Sequence, residues 1–267
     1  MPRRSKTSSG VTAADAIDAG LLEIGERCEI SPMAVFQPAD HLGTIRPIVL
    51  GDDCVVGPFS ILHGGVRAGA GVRIEPQVIV GQPERGYAVR EYYPGAGTIT
   101  MIGDGVTLRA RSSLYAGVRV GALSRVGHGT LIRSHARIGE DTELTHFLVI
   151  ERNSQIGSHV RISPHTHLTG ETFVGDYALL GGGIRTANNI PMLWREPSRI
   201  PELLPPRFEA WSRVGTGCSV LGGVTIGEGA YVGASSLVNR SIPPGALAYG
   251  VPARVIHGPD NESAGAA

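Results

Sequence analysis

The chain has 267 residues, and its 24 Lys plus Arg are balanced by 24 Asp plus Glu, so the formal net charge is zero. This balance gives no overall field that would attract nucleic acid or an anionic membrane, and we expect neither as a partner. Gly is frequent, at 38 residues, whereas aromatic residues make up only 5%. A glycine content this high without a collagen repeat predicts many tight turns.

The first residues, 1–12, are basic, and no apolar stretch of the kind found in a signal peptide follows them. We interpret them as a disordered leader. We predict a cytoplasmic protein, because no apolar run is long enough to span a bilayer. Residues 13–22 predict a short helix that caps the start of the fold, and residues 257–267 predict a disordered tail.

Aliphatic residues recur at every sixth position through the centre of the chain. A helix would scatter such positions around its surface, and a flat strand has no reason to prefer this period. A six-residue repeat predicts a parallel β-helix, in which each repeat supplies a short strand and a corner. The series comprises Ile102, Leu108, Leu114, Val120, Val126, Ile132, Ile138, Leu144, Ile150, Ile156, Ile162, Leu168, Val174 and Leu180.

Two further blocks, Leu50 to Val80 and Val214 to Val238, follow the same period. The three cysteines, Cys28, Cys54 and Cys218, each stand four residues after an aliphatic of the repeat. This is the position of a small inward side chain, so we interpret them as core residues rather than disulfide partners or nucleophiles.

Two segments, 81–101 and 185–213, interrupt the repeat, and loops that leave a solenoid often carry its function. The first contains Arg85, Tyr87 and Arg90. Arginines suit phosphates and tyrosine rings suit a base or a sugar, so we predict substrate binding there; packing on a neighbouring subunit is the alternative. The second segment, with Trp194 and Trp211, is predicted either to cover a cleft or to hold a neighbouring subunit.

The stretch 214–258 ends in the phrase Val251-Pro252-Ala253-Arg254-Val255-Ile256. It resembles the C-terminal signature of the hexapeptide-repeat acyltransferases, and the resemblance extends over about residues 48–257. The similarity is greatest to enzymes that acetylate the amine of a nucleotide-linked sugar. The resemblance implies an all-β fold, a left-handed parallel β-helix over residues 13–256 with two inserted loops, and assembly as a homotrimer.

The same resemblance implies acetyl-CoA or another acyl-CoA as co-substrate, with no tightly bound cofactor and no metal. The pantetheine arm of the co-substrate is expected along a groove between two subunits. Matching positions assign the arm and the phosphates to a small set of residues. These are Gly222, Gly233, Ala234 and Ser235 for the arm, and Arg240 and Arg254 for the phosphates.

An amine that attacks a thioester must lose a proton, so the sequence was searched for a general base. In many relatives the base is a His two residues after an aliphatic, and a Gly one coil later supplies an oxyanion N–H. The matching residues here are Arg152 and Gly170. Arg cannot act as a base, so we assign Arg152 to substrate binding and keep Gly170 as the donor. The predicted base is His165, followed by His167 and then His146.

Three alternatives remain. An O-acyltransferase of the same fold differs only in its acceptor. A γ-class carbonic anhydrase would need a three-histidine zinc site; His159 and His165 are six apart, where that class has five. A non-catalytic trimeric scaffold would explain the missing family histidine.

Overall fold

The computed structural model describes residues 11–39, 44–86, 95, 98–189 and 202–257. Helix α1, Ala13–Asp18, begins after the N-cap Thr12 and confirms the predicted cap. Val11 pairs with Phe36, and its N–H donates to the Phe36 carbonyl at 2.9 Å, so the predicted leader is wrong at its last two residues. The predicted tail, 257–267, is wrong at its first residue, because His257 ends a strand. The rest of the leader, 1–10, and of the tail, 258–267, lies outside the described residues.

The described chain winds into three parallel sheets, which confirms the all-β, left-handed parallel β-helix. Sheet I consists of β1 Leu22–Ile24, β4 Ile48–Leu50, β7 Val66–Ala68, β10 Thr100–Ile102, β13 Arg119–Val120, β16 Arg137–Ile138, β19 Gln155–Ile156, β22 Phe173–Val174, β25 Arg207–Phe208 and β28 Thr225–Ile226. Sheet II consists of β2 Glu29–Ile30, β5 Val55–Val56, β8 Arg73–Ile74, β11 Thr107–Leu108, β14 Arg125–Val126, β17 Glu143–Leu144, β20 Arg161–Ile162, β23 Leu179–Leu180, β26 Arg213–Val214, β29 Tyr231–Val232, β31 Leu247–Gly250 and β32 Ala253–His257. Sheet III consists of β3 Val35–Gln37, β6 Ile61–His63, β9 Ile79–Gln82, β12 Ser113–Tyr115, β15 Leu131–Ile132, β18 Val149–Ile150, β21 His167–Leu168, β24 Arg185–Thr186, β27 Ser219–Val220 and β30 Leu237–Val238.

The core is a stack of the repeat aliphatics. Ile132 pairs with Ile150 in the next coil, and Ile150 pairs with Leu168 in the one after. Every aliphatic of the series from Ile102 to Leu180 is buried. Cys54 and Cys218 are buried and Cys28 is partly buried; all three are free thiols, as expected for core residues. Since each coil buries its apolar face only against the next, stability is spread along the whole prism.

The corners between sheets are two-residue turns, and they define three edges of the prism. We name them by the sheets they join: edge I/II, edge II/III and edge III/I. Most turns place their second residue at positive φ, which Asn153 (59°) and His165 (61°) illustrate. Side chains at the same turn position in successive coils therefore lie above one another along an edge.

The interruptions of the repeat are shorter than the sequence predicted. Strand β9 extends to Gln82 and β10 starts at Thr100, so strands occupy both ends of the segment 81–101. Likewise, β24 and β25 lie inside the segment 185–213 and β26 begins at its last residue, because these strands keep the register of the coil below. Trp211 therefore belongs to a regular turn of the helix, where its ring stacks on Tyr177. Trp194 lies outside the described residues.

The last coil ends in an antiparallel pair, in which β31 turns back into β32 at the end of sheet II. This pair covers the final strand edge of sheet II. Within the described residues, no helix is long and apolar enough to cross a membrane.

Candidate functional site

Both interruptions leave the prism at the same edge. The first follows β9 of sheet III and returns at β10 of sheet I, and the second follows β24 of sheet III and returns at β25 of sheet I. Both therefore stand on edge III/I. Between them, three successive turns of that edge carry Ser134, Arg152 and Gly170. This stretch of edge III/I lies between the points where the two insertions leave the prism.

A cavity of about 530 Å³ occupies this stretch. The first insertion contributes Gly95 to its lining, and the second contributes Asn188 and Leu203. The regular coils contribute the remaining residues, most of which are polar or charged: His135, Glu151, Arg152, Asn153, Gly170 and Glu171. A concave site with convergent titratable groups between two insertions is the best candidate active site of the described chain.

A buried carboxylate fixes the first insertion to this edge. Glu84 is only 2% exposed and accepts a hydrogen bond from the Ser134 hydroxyl at 2.6 Å and another from the Ser134 N–H at 3.2 Å. It also forms an ion pair with Arg133, and the Arg152 Nε atom lies 4.0 Å from it. A charge this deeply buried requires such partners, so Glu84 holds the start of the insertion in one position.

The ion pairs continue from Arg133 into the cavity. The second guanidinium nitrogen of Arg133 donates to Glu151 at 2.5 Å, and the other carboxylate oxygen of Glu151 lies 3.8 Å from His167 Nε2. Burial acts to raise the pKa of Glu151, but His167 and Arg133 outweigh it and leave the pKa below its ordinary value. Glu151 is therefore a carboxylate at neutral pH, and His167 is the histidine it faces.

The imidazole of His135 is wedged between two glycines. Gly95 and Gly117 both have positive φ, of 83° and 79°. A Cβ at Gly95 would clash with His135 Nε2, and one at Gly117 would come within 2.5 Å of Nδ1. Because both glycines leave room for it, the ring stands as a wall at the lower end of the cavity.

Gly170 lies in the lining with its backbone donor available. Among the described residues, no group accepts a hydrogen bond from the Gly170 N–H. Its carbonyl accepts one from the Asn188 side chain at 3.3 Å, which ties the second insertion to this turn. A free N–H facing a cavity can stabilise an oxyanion.

Two of the predicted catalytic histidines lie elsewhere. His146 and His165 are on edge II/III, across sheet III from Gly170. His146 stacks on His128 at 5.2 Å and accepts a hydrogen bond from its N–H at 3.2 Å, and His165 stacks on Phe147 at 5.4 Å. A single chain therefore brings His167, but not His146 or His165, towards the edge that carries Gly170.

The residues predicted to bind the acyl donor are divided between two edges. Gly222 and Arg240 follow strands of sheet III and lie on edge III/I, above the cavity. Gly233, Ala234 and Ser235 follow β29 and lie on edge II/III. Arg254 is in the terminal strand β32, where it donates to the Ala253 carbonyl at 3.0 Å. One chain does not gather this set into a single groove.

The predicted substrate residues have mixed outcomes. Arg152 lines the cavity. Arg85 is exposed. Burial and, to a smaller extent, the charge of Arg85 lower the pKa of His63 in β6 to about 4. Tyr87 and Arg90 lie outside the described residues.

Four residues that line or support the cavity were not among the predicted site residues: Glu84, Arg133, His135 and Glu151. Arg133 and Glu151 stand 18 residues apart, one coil, so their opposite charges at equivalent positions were a usable signal. Glu84 gave no such signal, because the insertion breaks the register that relates one coil to another. No three His, Cys, Asp or Glu side chains of the described residues converge into a metal-binding group.

Comparison with known proteins finds acetyltransferases. The chain is 40% identical over 87 residues to the bifunctional protein GlmU of Rubrobacter xylanophilus, covering 33% of this chain and 17% of that protein. It is 39% identical over 57 residues to serine acetyltransferase of Escherichia coli, covering 21% of each. The chain thus spans about a fifth of the length of these curated relatives, and no family model matches it.

Among solved structures, UDP-N-acetylglucosamine acyltransferase from Campylobacter jejuni matches 85% of this chain and 73% of its own, at 18% identity and a TM-score of 0.42. The similarity to hexapeptide-repeat acetyltransferases, inferred from the repeat and the terminal phrase, is confirmed.

Proposed function

We propose that this chain, whose curated relatives are acetyltransferases, transfers an acetyl or other short acyl group from acyl-CoA to the amine of a nucleotide-linked sugar. The observation that carries the proposal is the cavity on edge III/I. Its lining includes Gly170, whose N–H has no acceptor among the described residues, and Glu151, which lies 3.8 Å from His167 just outside the lining. A thioester acyl transfer needs both an oxyanion donor and a base.

In this mechanism, His167 accepts the proton that the acceptor amine loses as its nitrogen attacks the thioester carbonyl. The carbonyl oxygen becomes an oxyanion, which the Gly170 N–H stabilises. Collapse of the tetrahedral intermediate breaks the C–S bond, and His167 returns the proton to the departing thiolate of CoA. Glu151 faces the ring and stabilises its protonated form, much as a carboxylate supports a catalytic histidine elsewhere.

The working enzyme in this proposal is a homotrimer. The residues proposed to bind the acyl donor lie partly on edge II/III and partly on edge III/I. These edges are separated by one side of the prism, and the six residues of one side span about 20 Å at most. An arm bound between two copies can contact edge II/III of one and edge III/I of the next. The cytoplasm, where acyl-CoA is formed and used, is the proposed location.

The test is an assay of CoA thiol release from acetyl-CoA with nucleotide-linked amino sugars, run with the matching hydroxyl sugars as the O-acyl alternative. We expect His167→Asn to reduce kcat about 10²- to 10⁴-fold. The acid limb of the pH–kcat/KM profile should disappear with it. His165→Asn, the matched control on edge II/III, should retain kcat within about threefold.

Full turnover in His167→Asn would refute the assignment of the base. Loss of turnover in His165→Asn alone would instead indicate a base contributed across two copies. Release of CoA only with hydroxyl acceptors would replace N-acylation with O-acylation.

A further inference from the structure

A second cavity, of about 410 Å³, lies next to the first and is lined by basic side chains. Arg119 and Arg137 of sheet I contribute to it, together with Arg46, His135 and Thr98. No carboxylate belongs to its lining among the described residues. A concave surface with three guanidinium groups and no acid is suited to an anion.

Two arginines of sheet I lie where their like charges repel each other. Arg119 and Arg137 are direct register partners on neighbouring strands, which lie about 4.8 Å apart. Their other register partners, Met101 and Gln155, are uncharged. Neither arginine has a carboxylate within ion-pair distance in the described part of the chain, although the protein has as many acids as bases. Like charges directly opposite each other destabilise a sheet unless something neutralises them.

An unsatisfied polar atom stands beside these arginines. The hydroxyl oxygen of Thr98 is buried and has no hydrogen-bond partner among the residues that the structure describes. Thr98 lies where the first insertion returns to the prism, and its hydroxyl would be within 2.6 Å of a Cβ placed at Gly117. Buried hydroxyls are almost always hydrogen-bonded, so the Thr98 hydroxyl has unused capacity that a ligand or a water molecule in this basic cavity can satisfy.

From these observations we infer that the second cavity binds the diphosphate of the acceptor substrate, with Arg119 and Arg137 pairing the phosphate oxygens and Thr98 donating a hydrogen bond. His135 lines both cavities, so a diphosphate here would place an attached sugar beside Glu151 and Gly170. The choice of ligand rests on the proposed function; the anion site itself rests on the arginines and the orphan hydroxyl.

CoA also carries a diphosphate. The position of the cavity along the prism distinguishes the diphosphate of the acceptor from that of CoA. The turn of His135 is five coils below the turn of Arg240, a distance of about 24 Å at about 4.8 Å per coil. The residues assigned to the acyl donor occupy the last coils, on the opposite side of the first cavity. The acceptor diphosphate, the reacting centre and the two donor residues of this edge, Gly222 and Arg240, then follow one another along edge III/I.

The test is equilibrium binding to the full chain, measured by calorimetry with uridine diphosphate, inorganic pyrophosphate and CoA as separate probes. Arg119→Gln and Arg137→Gln are each expected to raise the Kd of uridine diphosphate and of pyrophosphate at least tenfold. Their Kd for CoA should stay within twofold of wild type. Arg125→Gln is the matched control, because it removes one exposed arginine from the same coil on sheet II.

Thermal unfolding gives a second measurement. Pyrophosphate should raise the midpoint of the wild type and of Arg125→Gln, but not that of the two sheet I variants. Unchanged affinity for uridine diphosphate in both variants would overturn the site. Weakened binding of CoA alone would overturn its assignment to the acceptor. Binding is measured without turnover, so the two proposals can fail separately. A chain that binds uridine diphosphate through these arginines but releases no CoA would refute the proposed acyl transfer and support the anion site.

Discussion

The carboxylate of Glu84 and the hydroxyl of Ser134 are hydrogen-bonded at 2.6 Å although 50 residues separate them in the chain. This contact attaches the insertion that follows β9 to the turn that follows β15, two coils further on. The same carboxylate is paired with Arg133, which in turn pairs with Glu151 of the cavity. The geometry of the candidate site therefore depends on how an irregular segment docks on a regular one.

Replacing Glu84 with Gln should destabilise the protein by about 3 kcal/mol, because it leaves the Arg133 charge half-buried with one partner fewer. The matched control is Glu209→Gln, which breaks the more exposed pair with Arg207 at 3.0 Å and should cost less than about 1 kcal/mol. Urea unfolding of the two variants measures both values. Equal losses in the two variants would contradict a structural role for the buried carboxylate.

The prism itself could be predicted from the sequence, because a local period of six directly encodes which side chains face inward. Leu114 and Val174, far apart in the chain, both follow that period and both are buried. The site could be predicted only in part. Gly170 lies where family matching placed it, since it belongs to the regular coils. Glu84 could not be anticipated, because contacts of an insertion follow from tertiary docking rather than from spacing.

The histidines illustrate the same limit. His165 and His167 are only two residues apart in the sequence. The six-residue period alone does not show that His165 lies on edge II/III whereas His167 lies in sheet III and faces Glu151. The ion pair at 3.8 Å between His167 and Glu151 appears only in three dimensions.

His63 should make the protein sensitive to mild acid. Its pKa in the folded state is about 4, below the ordinary value of 6.5, because of burial and, to a smaller extent, the charge of Arg85. Above pH 6.5 the ring is neutral in both states and has no effect. As pH falls from 6.5 to 4, only the unfolded state takes up the proton, so stability decreases by up to about 3 kcal/mol.

His63→Gln should remove this decrease, giving a flatter profile of unfolding free energy between pH 7 and pH 4.5. Urea unfolding at a series of pH values measures it. His257→Gln, at an exposed histidine of β32, is the control and should keep the wild-type slope. A wild-type slope in His63→Gln would show that another group causes the acid sensitivity.

The inward and outward positions of the repeat should differ sharply in their tolerance of truncation. Leu114 is fully buried, and Leu114→Ala should cost about 2–5 kcal/mol through lost burial and the cavity it leaves. Leu123, at a turn of edge I/II, is 62% exposed, and Leu123→Ala should change stability by less than about 0.5 kcal/mol. Chemical denaturation compares the same substitution in both environments. Similar costs would contradict the stacked core.

Edge I/II carries a ladder of rings that should stabilise the middle coils from outside. Tyr177 is stacked between His159, at 4.6 Å, and Trp211, at 4.2 Å with the planes only 4° apart. Each aromatic pair contributes about 0.5–1.5 kcal/mol beyond the area it buries, so Tyr177→Ala should cost about 1–3 kcal/mol. Tyr231→Ala is the control, since Tyr231 is 48% exposed, close to the 44% of Tyr177, but has no ring partner among the described residues. Thermal unfolding should show the larger decrease in midpoint temperature for Tyr177→Ala. In a Trp194→Phe background, the fluorescence of Trp211 should change at a lower temperature when Tyr177 is replaced. Equal midpoints for the two alanine variants would mean that the ladder adds no stability.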